Sequence, residues 1–190
     1  MMTTVSRFCH KCDVEGFHQL KIQLAKEIVD SGLETPVSNH ISRKDIGQSL
    51  QNILANKIDE IRQTISLMDE KQLNTILDHI KQAGVVQFVA VGNTIPVALD
   101  GCFKFNEIGI RAVAGTIWET QLAFSLSLGR DDMMIAISNS GESRQVVKMV
   151  REAKKRGVVT VGITNNPNST VANSADYHII YFCIFSISRN

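Results

Sequence analysis

Cysteine is scarce and scattered in this chain, with four among 190 residues, at Cys9, Cys12, Cys102 and Cys183. That spacing offers no disulfide framework, and the chain reads as a cytoplasmic protein with reduced thiols. Cys9 and Cys12 form a C-x-x-C pair with His10 and His18 nearby. No second ligand pair stands at zinc-site spacing, so two cysteines on a small helical unit are expected rather than a metal centre. An excess of one charge is also lacking. A net charge of +1 gives no global electrostatic footprint for nucleic acid, although it leaves room for a small local reader. No apolar run reaches membrane-spanning length, and no signal-peptide pattern is present. What is there, 44% hydrophobic and 21% charged residues, is the composition of a soluble globular protein, and a length of 190 residues suggests one domain of ordinary size plus an appendage.

The most informative stretch is residues 132–162, DMMIAISNSGESRQVVKMVREAKKRGVVTVG. A short apolar run from Met133 to Ile137 suits a buried strand. A polar loop follows, Ser138-Asn139-Ser140-Gly141-Glu142-Ser143. Val146, Val147, Met149, Val150 and Ala153 then recur at helical spacing, and Lys154, Lys155, Arg156 and Gly157 end the helix. Residues 158–163 make a second buried strand.

A loop entering a helix presents free backbone N–H groups and the positive end of the helix dipole, which together attract an anion. Gly141 permits a tight turn, and the serine hydroxyls donate to oxygens. The loop has no lysine and is not a Walker A sequence, so a monoester phosphate on a small molecule fits better than a nucleoside triphosphate. The plainer alternative is that Ser143 caps the helix and the other serines only turn the chain.

Around this unit the chain has a simple order. Residues 3–9 read as a short helix exposing Thr3, Thr4, Ser6 and Arg7, and Phe17, Leu20, Leu24, Ala25 and Ile28 share the face of a second. Residues 34–44 are a polar linker broken by Pro36. Ile46, Leu50, Ile53, Leu54, Ile61, Ile65 and Met68 line one side of a long helix pattern starting at Asp45. Asp69 with Gln72 resembles a capping box for a further helix. From Gly84 onward strand and helix alternate, with strands over 85–91, 110–114, 133–137, 158–163 and 177–187. Such alternation predicts an α/β fold, a parallel five-stranded sheet with helices on both faces. Its ligand belongs beyond the carboxyl ends of the strands, where the turns at Thr94, Ser138 and Thr164 converge.

ISNSGES before a helix, REAKKRG, VVTVGIT and SADYH resemble the sugar isomerase (SIS) domain, a phosphosugar-binding fold of flavodoxin-like type. The front end, TTVSRFCHKCDVEGFHQLKIQLAKE, resembles the latter part of the helix-turn-helix domain of RpiR/MurR-type transcriptional regulators. The resemblance implies a partial helix-turn-helix segment over 1–33, the linker, and a SIS domain over 45–190, with both ends cut short against the family pattern. It further implies a sensor without cofactor, binding a phosphorylated sugar and an operator, usually as a homo-oligomer. Ser138, Ser140 and Ser143 fall on the hydroxyls that hold the phosphate, together with Asn139, Gly141 and Glu142 of the same loop. Thr94 falls where the family's first loop places its serine. Ala90 replaces the first glycine of that loop, Gly92 matches the second, and Pro96 follows the turn. Glu119 and Gln121 lie where sensors carry a histidine and a glutamine, so Glu119 is a candidate at the sugar end. Thr3, Thr4, Ser6 and Arg7 match the recognition helix, with Lys11 a phosphate contact.

Because SIS domains also occur in sugar-phosphate isomerases, an enzyme is the rival reading. Its base would come from Glu107, Glu119, Glu142, His79 or His178, of which Glu119 is the strongest candidate. For the DNA-binding segment, the helix that should hold the recognition helix in the groove is missing from the pattern, so specific operator binding by this polypeptide is expected to be impaired.

Overall fold

A computed structural model describes residues 43–183. The expected DNA-reading residues Thr3, Thr4, Ser6, Arg7 and Lys11 therefore lie outside the described residues, as do the Cys9–Cys12 pair, most of the linker and positions 184–187 of the last expected strand. The chain divides into two compact units between Lys57 and Ile58, and the sheet belongs wholly to the second.

Helix α1 (Ile46–Ser66) opens where Asp45 accepts the N–H of Gln48 at 2.9 Å. Helix α2 (Glu70–Gln82) is capped by Asp69, whose Oδ1 accepts the N–H of Gln72 at 2.9 Å. Only half of the expected capping box forms. The Gln72 side chain turns instead to the edge of the sheet, where a full peptide unit awaits a partner.

The sheet is built from β1 (Val86–Ala90), β2 (Ala112–Ala114), β3 (Met133–Ile137), β4 (Val159–Thr164) and β5 (Tyr177–Ile180). All four pairings are parallel, in the order β2-β1-β3-β4-β5. Every residue of β1 and β3 is buried, which is why their sequences run apolar without alternation. Val86, Phe88, Met133 and Ile135 face α2 and α3 (Ile95–Glu107). Val89, Met134 and Ala136 face the other layer, where α5 (Arg144–Lys155) supplies Val146, Met149, Val150 and Ala153. The short helices α4 (Trp118–Ser125) and α6 (Thr170–Ser174) complete that layer.

The strands expected at 110–114 and 177–187 are shorter in the structure, for local reasons. Ile110 donates its N–H to Phe105 O, closing the end of α3. After Ile180 the Tyr181 N–H still reaches Thr164 O of β4, while the Tyr181 phenol, Phe182 and Cys183 contact Asn139, Thr64 and Asn165. Three side-chain amides act as extra strand partners. Asn106 takes the N–H and C=O of Ala112 on the outer edge of β2, at 3.1 and 3.0 Å. Gln72 takes those of His178 on the outer edge of β5, both at 3.0 Å. Gln121 takes those of Ala90, past the end of β2, at 3.0 and 2.9 Å.

Candidate functional site

The strand order reverses between β1 and β3, and this is where a doubly wound sheet opens a crevice at its carboxyl edge. The loops after β1, β3 and β4 meet there. Thr94 Oγ1 lies 3.1 Å from Val91 O and 3.2 Å from Ile137 O, joining the first two. Asn165 N–H donates to Asn139 O at 2.9 Å, and Val171 N–H to Gly141 O at 3.0 Å, joining the second and third.

Gly141 stands at φ +68°, and an added Cβ would collide with the side chain of Ser169. Only glycine satisfies both the left-handed turn and this close approach. Ser138 is buried, and its hydroxyl oxygen accepts the N–H of Gly141 at 3.2 Å. Ser140 is exposed, and its hydroxyl oxygen accepts the N–H of Glu142 at 3.2 Å. Accepting in this way leaves the O–H proton of each serine to donate elsewhere.

Ser143 occupies the cap position of α5 but makes no side-chain capping bond. Its hydroxyl donates to Gln145 Oε1 at 3.3 Å instead. The first-turn N–H groups of α5 are thus not taken by the cap, and they point with the helix dipole toward the crevice. The loop is a concentrated set of donors.

Glu142 is not free to act as a base. Both carboxylate oxygens accept from Thr170, from its hydroxyl at 2.6 Å and its N–H at 2.8 Å. The Thr170 hydroxyl, followed by its N–H, holds this carboxyl below its ordinary range. Its work is to tie the loop to α6. Asn139 is tied as well, accepting from the Tyr181 phenol at 2.6 Å. The Thr94 hydroxyl has one proton, and both of its neighbours are backbone carbonyls, so it braces the strand ends in this structure.

Glu119 lies exposed in the first turn of α4 and lines a neighbouring pocket of about 320 Å³ with Gly92, Ile95, Thr116, Ile117 and Trp118. Gln121 also borders that pocket, but it is 2% exposed and its amide is committed to Ala90. Of the other candidate bases, His79 bonds the Tyr177 hydroxyl at 3.1 Å beside Arg130 and Asp131, at the opposite, amino end of the strands. His178 Nε2 lies 2.8 Å from Thr164 Oγ1, which itself donates to Asn166 O. The ring N–H is therefore the donor in that pair, and burial lowers the pKa of the histidine. Among the described residues no group of three His, Cys, Asp or Glu is placed to hold a metal ion, and no helix is long and apolar enough to cross a membrane.

Residues 79–182 match the family model for the SIS domain. The chain belongs to the SIS domain family. Among curated relatives, it is 30% identical over 179 residues to an uncharacterized HTH-type transcriptional regulator of Clostridium perfringens, covering 94% of this chain and 64% of that protein. A regulator of the same description from Bacillus subtilis is 29% identical over 174 residues, covering 90% and 60%. The chain thus spans less than two thirds of the length of these relatives. Among solved structures, the sugar isomerase domain of an RpiR transcription factor from Sphaerobacter thermophilus superposes with a TM-score of 0.69 at 25% identity, covering 75% of this chain and 79% of that one. Vibrio vulnificus NanR complexed with ManNAc-6P superposes with a TM-score of 0.67 at 20% identity, covering 95% and 62%. The SIS assignment and the five-stranded parallel sheet expected from the sequence are both borne out.

Residues outside the serine loop complete the site. Ser169, Thr170, Asn165 and Tyr181 brace it, and none of them was marked by the motif. For the first three, the turn-rich run Thr164-Asn165-Asn166-Pro167-Asn168-Ser169-Thr170 is a local signal.

Proposed function

We propose that this chain is the effector-sensing part of a sugar-phosphate-responsive transcriptional regulator. The observation that carries the reading is the serine loop, where two hydroxyls accept backbone N–H bonds and keep their protons, and the first turn of α5 is left uncapped. A phosphate monoester seated there takes hydrogen bonds from Ser138, Ser140 and the adjacent N–H groups, and from Ser143 once its hydroxyl turns from Gln145 to the ligand, with Asn139, Gly141 and Glu142 shaping the loop and Thr94 closing its side. The pocket at Glu119 takes the sugar end, which the carboxylate contacts through hydroxyl or amine hydrogens. The naming of the relatives as regulators, and the ManNAc-6P complex of NanR, support a sensor of this type. In the regulator, residues 1–33 contribute Thr3, Thr4, Ser6, Arg7 and Lys11 to a DNA-binding segment, residues 34–44 link it to the sensor, and the assembly is a cytoplasmic homo-oligomer.

The test is a thermal-shift panel of hexose and amino-sugar phosphates beside the same sugars without phosphate. Stabilisation by at least one phosphorylated member and by none of the free sugars is expected, with the shift abolished by Ser140→Ala. Equal shifts from a free sugar and its phosphate would contradict the reading. Isomerase activity is the second reading, favoured by Glu119 alone. Turnover of an aldose or ketose phosphate that disappears in Glu119→Gln would establish it.

A further inference from the structure

Tyr181 lies beyond the last strand and outside every motif of the sequence. Its phenol donates to Asn139 Oδ1 at 2.6 Å, across 42 positions of chain. Burial raises its pKa, so it remains a donor at neutral pH. The Tyr181 N–H donates to Thr164 O at 3.1 Å. Asn165, whose N–H holds the Asn139 carbonyl, donates its side chain to Cys183 O at 3.1 Å. Asn139 is therefore held at its side chain by Tyr181 and at its main chain by Asn165, which is itself bonded to Cys183 at the other end of the same short segment. Fixing Asn139 fixes the peptide that leads into Ser140, and with it the direction of the Cα–Cβ bond that carries the Ser140 hydroxyl.

Between these two ends stands Phe182, whose N–H donates to Thr64 Oγ1 at 2.9 Å. The Thr64 proton goes to Glu60 O at 2.7 Å, within the last turns of α1. A continuous set of hydrogen bonds thus runs from the serine loop, through 181–183, to the helix that leads back along the chain to residue 46.

We propose that Tyr181 is a positioning residue of the serine loop, and that the segment 181–183 transmits the occupancy of that loop to Thr64 on α1. This rests on the serine loop being the phosphate site. An anion that orders Ser140 favours the Asn139 geometry that Tyr181 grips, and a gripped segment stays docked on Thr64. By reciprocity, a docked segment favours the anion. The device gives the sensor a physical route from its ligand to its leading helix.

The experiment uses the full chain and inorganic phosphate as the probe. Tyr181→Phe removes one hydroxyl and keeps the ring, and Asn139→Ala removes the partner. Calorimetric titration is expected to show phosphate binding weakened about 3–10-fold in each variant, the value of one neutral hydrogen bond. The double variant should lose no more than either single one, because the two act as a unit. Hydrogen exchange reads the transmission. Saturating phosphate should slow exchange of amides 60–66 in the wild type and leave them unchanged in saturated Tyr181→Phe, a result that a purely structural tyrosine would not produce. Phosphate affinity unchanged in Tyr181→Phe, or losses that add in the double variant, would overturn the proposal while leaving the phosphate site intact. Failure of the wild type to bind phosphate would overturn the site and this proposal together.

Discussion

Gly141 and Ser140 are adjacent, and substitution separates their roles. Alanine at 141 meets both the positive φ and the Ser169 side chain, so Gly141→Ala is expected to destabilise the fold by about 1–3 kcal/mol or more in urea denaturation. Ser140 is exposed and its hydroxyl accepts one N–H. Ser140→Ala should leave stability nearly unchanged and cost about 1.5–3 kcal/mol of phosphate affinity by calorimetry, because the lost bond is to a charged ligand. His178 gives the loop region a pH dependence. Its folded-state pKa is lowered by burial below the ordinary 6.5, so between those two values the unfolded chain binds more protons. The contribution of His178 to stability is then fully present above about pH 6.5 and is lost as pH falls through the lower folded value. Melting curves taken from pH 7.5 to 5 should show this loss, and His178→Asn should flatten it. A wild-type melting temperature that rises over the same fall in pH would refute the assignment.

At the scale of elements, a side-chain amide covers one residue on each outer edge of the sheet among the described residues. Asn106 covers Ala112 on β2, and Gln72 covers His178 on β5. An edge strand with open N–H and C=O groups is a template for pairing with other chains. Gln72→Ala removes two hydrogen bonds and should lower stability by about 1–3 kcal/mol. It should also raise light scattering on mild heating, while a surface control such as Lys71→Ala should not. Scattering no higher than in the control would show that the edge is protected by something else. These clamps mark the limit of what the sequence shows. The strands were legible because continuous apolar runs such as Met133 to Ile137 suit a sheet buried on both faces. The serine loop was legible because hydroxyls, a glycine and a following helix lie within a dozen residues. An asparagine or glutamine inside a helix carries no such local sign. Gln72 was expected to bond back to its own helix start, and Tyr181 was expected only as a strand residue. Their true partners lie 106 and 42 positions away, a distance that no periodicity records.

At the scale of the molecule, the reversal of strand order sets the crevice, and everything specific is added by loops. The fold alone is shared by regulators and isomerases, so the chemistry must be argued from the donors in the crevice. Those donors are concentrated on residues 138–146, whereas the polar pocket at the opposite end of the sheet, lined by His79, Arg130 and Asp131, is the competing location for an anion. The most direct measurement is an amide chemical-shift titration of the wild-type chain with inorganic phosphate. Saturable shifts are expected to be largest at Ser140, Gly141 and residues 143–146, to need about tenfold or more higher phosphate in Ser140→Ala, and to be small at residues 79–82 and 130–132. Shifts centred on 79–82 and 130–132, or no saturable shift within 138–146, would contradict this expectation.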